Sequence, residues 1–148
     1  MADAVAETAM LLQHPVGARN VQLWADVAPD LPVWHGDPIE LGQVLYNLAL
    51  NAVQAVDEGG EVVIVAKPSQ DGPPSVILEV NDNGPGLDEE VRRKLFQPFV
   101  TTKESGVGLG LSIIHRLVQR AGGTVEVHDR PSGGTSFRVQ LPLSDEGN

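Results

Sequence analysis

One predicted helix is apolar around most of its circumference, and such a helix is stable only when other elements cover it. The pattern predicts this helix from Pro38 to about Asp57, with Asp37 as the N-cap and a proline at the first helical position. One narrow polar stripe interrupts the apolar surface. It contains Glu40, Gln43, Asn47, Asn51 and Gln54.

The polar stripe favours a lined cavity over a solvated surface. Surface stripes usually carry Lys, Glu and Arg, whereas asparagine is a poor helix former. Asn47 and Asn51 lie one turn apart on a helix that is otherwise expected to be buried. Their spacing therefore indicates a binding site, with a solvated strip as the alternative interpretation.

The remaining segments predict an α+β fold, with helices on one face of a mixed, mainly antiparallel sheet. Two neighbouring strands joined by a Gly/Pro-rich loop are expected to form a hairpin. The expected order is helix Ala2 to Gln13 (ended by His14-Pro15-Val16-Gly17), strand Asn20 to Ala25, the central helix, strands Glu61 to Lys67 and Val76 to Val80, helix Glu89 to Leu95, helix Leu109 to Ala121, and strands Thr124 to His128 and Thr135 to Leu141.

Length and composition indicate one acidic domain that spans residues 1–148, with a loose tail at 144–148. The chain has 10 Lys and Arg against 20 Asp and Glu, a net charge of −10 that argues against a nucleic-acid partner. The absence of cysteine excludes disulfides and thiolate metal sites. No apolar run is long enough to cross a membrane, and we expect neither membrane contact nor a secretion signal.

Two glycine-rich stretches, at residues 82–86 and 106–111, predict a pocket for a ligand with a polar ring and an anionic tail. Asp82 follows a strand and could accept a hydrogen bond from an exocyclic amino group such as that of adenine. Gly84 and Gly86 would let the ring lie against the backbone. A helix is expected to begin within the second stretch, and the N–H groups at a helix N-terminus favour phosphate.

Two further residues fit such a ligand. Asn51 offers an amide oxygen suited to Mg²⁺, and Lys103 offers a cation. The chain contains neither a P-loop nor a dinucleotide fingerprint. Each feature alone has an ordinary interpretation as a turn or a surface charge, so the interpretation depends on their joint occurrence.

The ordered motifs resemble the N, G1, F and G2 boxes of two-component sensor histidine kinases. The matching segments are Asn47 to Ala52, Asp82 to Gly86, Phe96 to Phe99 and Gly106 to Leu111, and Gly133-Gly134-Thr135 is similar to the last Gly-Thr motif. The resemblance covers about Asp37 to Leu143. It implies the Bergerat (GHKL) fold, a two-layer α/β sandwich with a short ATP lid from Phe96 to Leu111, similar to that of nitrogen- and oxygen-sensing kinases.

The resemblance also implies roles for individual residues. Asp82 would bind the adenine amino group, with Thr135 nearby. Asn51 would ligate Mg²⁺, and Asn47 would line the same wall and act with Lys103 in catalysis. The other residues expected to contact ATP are Gly84, Gly86, Thr101, Thr102, Gly106, Val107, Gly108, Leu109, Gly110 and Leu111.

The function implied is binding of Mg·ATP and transfer of the γ-phosphoryl group to a histidine on a separate phosphoacceptor domain of the same parent protein. A response regulator would act downstream, and the domain would be a cytoplasmic monomer. Related ATPases place a general-base glutamate where Asn47 stands, and asparagine cannot take that proton. Transfer is therefore favoured over fast hydrolysis.

The chain itself offers no convincing phosphoacceptor. We interpret its four histidines as surface or structural residues: His14, His35, His115 and His128. The acceptor hairpin is therefore expected upstream, in a longer protein. The alternatives are a protein-serine kinase of the anti-sigma type, a nucleotide-binding module without transferase activity, and a slow ATPase of the same fold.

Overall fold

The computed structural model describes residues 1–69, 72–85, 107–131 and 133–143. The predicted helix Glu89 to Leu95 and most of the predicted lid lie outside these ranges. The described elements are α1 (Ala2–Leu11), α2 (Gln13–Arg19), β1 (Gln22–Val27), α3 (Pro38–Ala55), β2 (Glu61–Ser69), β3 (Ser75–Asp82), α4 (Val107–Arg120), β4 (Thr124–Asp129) and β5 (Thr135–Pro142).

The strands form one mixed sheet in the order β1-β2-β3-β5-β4. β1 runs parallel to β2, and the other three pairings are antiparallel. On β2, Val62, Ile64 and Ala66 are buried while the residues between them are more exposed, so one face of the strand carries the core. The α+β prediction is confirmed, and so is the predicted hairpin, which consists of β2 and β3.

The central helix α3 is buried as its pattern predicts. It packs between α1 and α4 and against β2 and β3. Ala55, in the last turn of α3, is exposed. No helix among the described residues has both the length and the apolar character to span a bilayer. The buried residues of α3 are Leu41, Val44, Leu45, Leu48, Ala49, Ala52 and Val53.

The N-terminal segment differs from the prediction. Residues 14–17, expected to end the first helix, lie instead in α2, whose C-cap residue Asn20 has the left-handed conformation with φ 55°. Pro15 is compatible with this helix because it occupies the first turn, where backbone N–H groups have no intrahelical acceptor. Because Asn20 caps α2, the following strand begins later than predicted, at Gln22.

Asp37 is the predicted N-cap of α3, and its carboxylate accepts a hydrogen bond from the backbone N–H of Ile39 at 2.9 Å. Asp37→Ala is expected to lower the free energy of unfolding by about 1 kcal/mol, because that N–H loses its acceptor. Asp37→Asn retains an acceptor oxygen and should lose less than half as much. Urea denaturation of the two variants measures the difference, and equal losses would contradict the capping role.

Candidate functional site

Asp82 is a buried acid at the end of the central strand β3, with 3% of its surface exposed. Its Oδ1 atom accepts hydrogen bonds from the backbone N–H of Gly84 at 2.9 Å and of Thr135 at 3.3 Å. Both bonds use the same oxygen. Within the described part of the chain, the other oxygen, Oδ2, therefore remains available to a ligand.

Burial raises the pKa of Asp82 above its ordinary value. The two backbone N–H groups and then the charge of Arg130 lower the pKa, but they only partly offset the desolvation. A carboxylate held in this way is less stable than one in water, and such groups are concentrated at functional sites. The geometry and the electrostatics both make Asp82 a candidate binding group.

The turn between β4 and β5 lies directly on the backbone of Asp82. Gly134 has φ 101°, and a Cβ atom there would overlap the carbonyl oxygen of Asp82 and lie 2.8 Å from the Cα atom of Asn83. From the same turn, Arg130 donates a hydrogen bond to the Asp82 carbonyl oxygen at 2.7 Å. Only glycine permits this approach, and it brings Thr135 beside the carboxylate.

The loop after β3 also packs on the C-terminal end of α3. A Cβ atom on Gly84 would lie 3.2 Å from the carbonyl oxygen of Ala55 and 3.4 Å from the Cα atom of Val56. Asn83 Oδ1 accepts a hydrogen bond from the Glu61 N–H at 2.8 Å and ties the loop to the start of β2. Asn51 lies one helical turn before Ala55, so the predicted metal ligand and the predicted adenine ligand belong to adjoining elements.

The two asparagines of α3 have different environments. The Nδ2 atom of Asn51 is buried without a hydrogen-bond partner among the described residues. Asn47 donates from Nδ2 to the carbonyl oxygen of Gln43 at 2.9 Å and borders a groove of about 640 Å³ between α1 and α3. The Asn51 amide therefore has unused hydrogen-bonding capacity.

The polar stripe as a whole is not one cavity wall. Gln43 and Gln54 are exposed, and Glu40 forms an ion pair with Arg120 at 3.2 Å. Asn47, Asn51 and Glu40 are half-buried. Gln43 and Gln54 follow the alternative interpretation, a solvated surface.

Several predicted ligand contacts lie outside the described residues. For residues 107–111 the structure describes the backbone, which is helical. The structure describes helix α4 from Val107, whereas the sequence predicts its start at about Leu109. Residues 107–111 are thus helical, and the backbone N–H groups at a helix N-terminus suit an anion. The residues outside the description are Gly86, Thr101, Thr102, Lys103 and Gly106.

Sequence reasoning missed Arg130, whose guanidinium reaches a carbonyl 48 residues away in the chain. The neighbouring Gly133-Gly134 pair was a usable signal, because it marks a turn that approaches another backbone closely. Among the described residues, no group of three or more acidic or histidine side chains is placed to hold a metal ion. A cation here would need ligands from another source, such as phosphate and water.

Asp82→Asn in the nucleotide-free protein should reveal the raised pKa through the pH dependence of stability. Because the folded state binds the Asp82 proton more tightly than the unfolded state, the wild type loses stability as pH rises through the folded pKa. The variant cannot ionise at this position. The unfolding free energy of the variant should exceed that of the wild type by the largest amount near neutral pH. This difference should shrink as pH falls towards the ordinary carboxyl pKa of about 4. Thermal melts of both proteins across this range measure the trend, and an advantage that grows in acid would contradict it.

The amino-acid sequence matches, over residues 36–145, the family described as "Histidine kinase-, DNA gyrase B-, and HSP90-like ATPase". The match covers most of the chain, and the protein belongs to this family. The resemblance predicted from the ordered motifs is thereby confirmed.

Individual relatives are sensor histidine kinases. The catalytic domain of the histidine kinase ThkA superposes with a TM-score of 0.88 at 28% identity, covering 100% of this chain and 95% of that one. Full-length ShkA in complex with AMPPNP gives 0.83 at 32% identity, over 96% of this chain and 30% of that one. The sensor histidine kinase ZraS of Escherichia coli (strain K12) is 36% identical over 134 residues, 90% of this chain and 28% of its own length. The chain thus has the fold of a histidine kinase catalytic domain and spans less than a third of ZraS.

Proposed function

We propose that the domain binds Mg·ATP beside Asp82 and transfers the γ-phosphoryl group to a histidine on a phosphoacceptor domain. The observation that carries this proposal is the buried carboxylate of Asp82, which has both described protein bonds on one oxygen and the other oxygen available. Membership of an ATPase family and similarity to a kinase crystallised with AMPPNP support the choice of ligand.

The chemistry of the carboxylate favours adenine. An ionised Asp82 only accepts hydrogen bonds, and the exocyclic amino group of adenine donates them. Guanine and hypoxanthine carry a carbonyl at the corresponding ring position, so two acceptors would face each other. A hydrogen bond to a charged group stabilises by about 1.5–3 kcal/mol, which is sufficient to discriminate between these bases.

Asn51 is suited to bind Mg²⁺. The two ends of an amide are exchanged by a half-turn of the side chain, so the unpaired Asn51 amide can present its oxygen to a cation. Mg²⁺ keeps several waters and takes phosphate oxygens, so one protein ligand is adequate. When bound, the ion would neutralise phosphate charge.

The side chain of Asn47 favours phosphoryl transfer over hydrolysis. An asparagine amide cannot accept a proton from water, so the N-box position of this chain provides no general base for hydrolysis. A histidine nitrogen needs no such base: it attacks the γ-phosphorus while the bond to the bridging oxygen of ADP breaks. The domain would contribute positioning, with Lys103 as a further cation. A response regulator would then receive the phosphoryl group, and the supply of ATP implies a cytoplasmic site of action.

Radiolabelled ATP and a separate acceptor hairpin test the proposal. The domain is mixed with the phosphoacceptor hairpin of a relative such as ZraS, and label on the hairpin should be lost in acid and retained in alkali. A hairpin with glutamine at the acceptor position should stay unlabelled. Acid-stable label would indicate a serine kinase, and phosphate release without label would indicate a hydrolase; either result would contradict the proposal.

Mg²⁺ is expected to increase the affinity for ATP. In Asn51→Ala this increase should be roughly tenfold smaller than in the wild type, because a ligand to the ion is lost. Gln54→Ala, on the exposed part of the same stripe, should leave that gain unchanged. Calorimetric titrations with ATP, in the presence of Mg²⁺ and of a chelator, measure the gain for each protein. An equal gain in Asn51→Ala and the wild type would remove Asn51 from the metal site.

A further inference from the structure

Arg19, the last residue of α2, reaches across to the C-terminal end of α3. Its Nε atom donates to the carbonyl oxygen of Val53 at 3.0 Å. One terminal nitrogen donates to the carbonyl oxygens of Gln54 at 3.2 Å and Val56 at 2.9 Å. A single guanidinium therefore binds three carbonyls at one end of the central helix.

Those carbonyls need an external partner. The last carbonyls of a helix have no intrahelical donor, and the negative end of the helix dipole favours a cation. α3 has no basic residue in its own last turn. Arg19 provides both the donors and the charge from a different element, and its planar fork suits several acceptors at once.

The same end of α3 supports the loop that holds Asp82. Gly84 packs on the backbone of Ala55 and Val56, and its N–H donates to Asp82 Oδ1. A series of direct contacts therefore runs from Arg19 through Val56 and Gly84 to the carboxylate. If the end of α3 shifts or frays, Gly84 loses the surface on which it rests.

We propose that Arg19 is a positioning residue for adenine recognition: it fixes the end of α3, and through Gly84 it orients the carboxylate of Asp82. This inference rests on the proposed function, in which Asp82 binds adenine. Arg19 would thereby give the N-terminal segment a role in nucleotide selectivity. It would act indirectly, because its three bonds described above are to carbonyl oxygens at the end of α3.

Arg19→Gln and Arg19→Lys, each titrated with ATP and with inosine triphosphate, test this role. Inosine triphosphate has a carbonyl in place of the amino group, so the ratio of the two affinities reports the orientation of Asp82. Arg19→Gln should lower this ratio roughly three- to tenfold, the usual range for residues that act through others. Arg19→Lys keeps the charge but not the fork, and its ratio should lie between that of Arg19→Gln and that of the wild type.

Arg120→Gln is the matched control, because it removes the same charge from a surface ion pair. Its ratio should equal that of the wild type. All titrations are made well below the melting temperature, where a loss of stability alone changes both affinities equally and leaves the ratio intact.

An unchanged ratio in Arg19→Gln, with or without a lower melting temperature, would overturn the inference and leave Arg19 as a helix cap. If Arg19→Gln does not fold, an unchanged ratio in Arg19→Lys overturns it instead. Failure of the proposed function looks different: the wild type would then show no preference for ATP, or Asp82→Asn would keep the wild-type preference.

Discussion

Asp82→Asn is expected to weaken ATP binding about 100-fold while the domain remains folded. The asparagine oxygen can still accept the N–H groups of Gly84 and Thr135, so the local structure is retained. The other side-chain atom changes from an acceptor to a donor and then faces the amino group of adenine. Loss of a charge-assisted hydrogen bond and the new repulsion together amount to about 3 kcal/mol, which corresponds to this change in affinity.

Calorimetric titration with Mg·ATP measures the effect, and thermal melts show that the variant is folded. Asp26→Asn is the control, because it removes one negative charge from an exposed position on β1. Its affinity should be close to that of the wild type. An Asp82→Asn variant that binds ATP as tightly as this control would show that the carboxylate does not contact adenine.

Gly134→Ala is expected to lower the free energy of unfolding by about 3–5 kcal/mol, a large effect for a single methyl group. The added Cβ would overlap the Asp82 carbonyl oxygen and press on Asn83, and both obstacles are backbone atoms that cannot rotate away. The positive φ of 101° adds strain for any residue with a side chain. The variant should also lose ATP affinity, because the displaced backbone carries the Asp82 carboxylate.

Gly133→Ala separates the two effects. Gly133 has the same φ of 101°, but a Cβ there meets nothing within 4 Å. This variant should lose only the strain contribution, about 1–2 kcal/mol. Urea denaturation of both proteins measures the contrast. Equal losses would mean that the turn does not press on Asp82 in solution.

Local features of the sequence were sufficient for the elements that lie nearest the site. The cap at Asp37 and the apolar periodicity after it predicted α3, and the Gly/Pro-rich loop between two neighbouring strands predicted the hairpin. Asp82 could be singled out because it occurs together with the two glycine-rich stretches and the asparagine pair of α3, although an acid after a strand is by itself an ordinary turn residue. These inferences needed no knowledge of distant contacts.

The remaining features depend on how distant segments meet. Nothing local shows that β5 lies between β3 and β4, or that Gly134 therefore reaches the backbone of Asp82. The three bonds of Arg19 join residues at least 34 positions apart, and α2 itself was obscured by a proline that is harmless in a first turn. The prediction that the polar stripe on α3 lines a cavity included too many residues. Periodicity cannot show that Glu40, at one end of the stripe, pairs with Arg120.

A structure of the domain with AMPPNP and Mg²⁺ would show whether Asp82 recognises adenine. The exocyclic amino group of adenine should lie about 2.9 Å, a hydrogen-bond distance, from Oδ2 of Asp82, while Oδ1 keeps its bonds to Gly84 and Thr135. Adenine bound elsewhere, or turned so that its amino group faces away from this carboxylate, would show that Asp82 does not select the base.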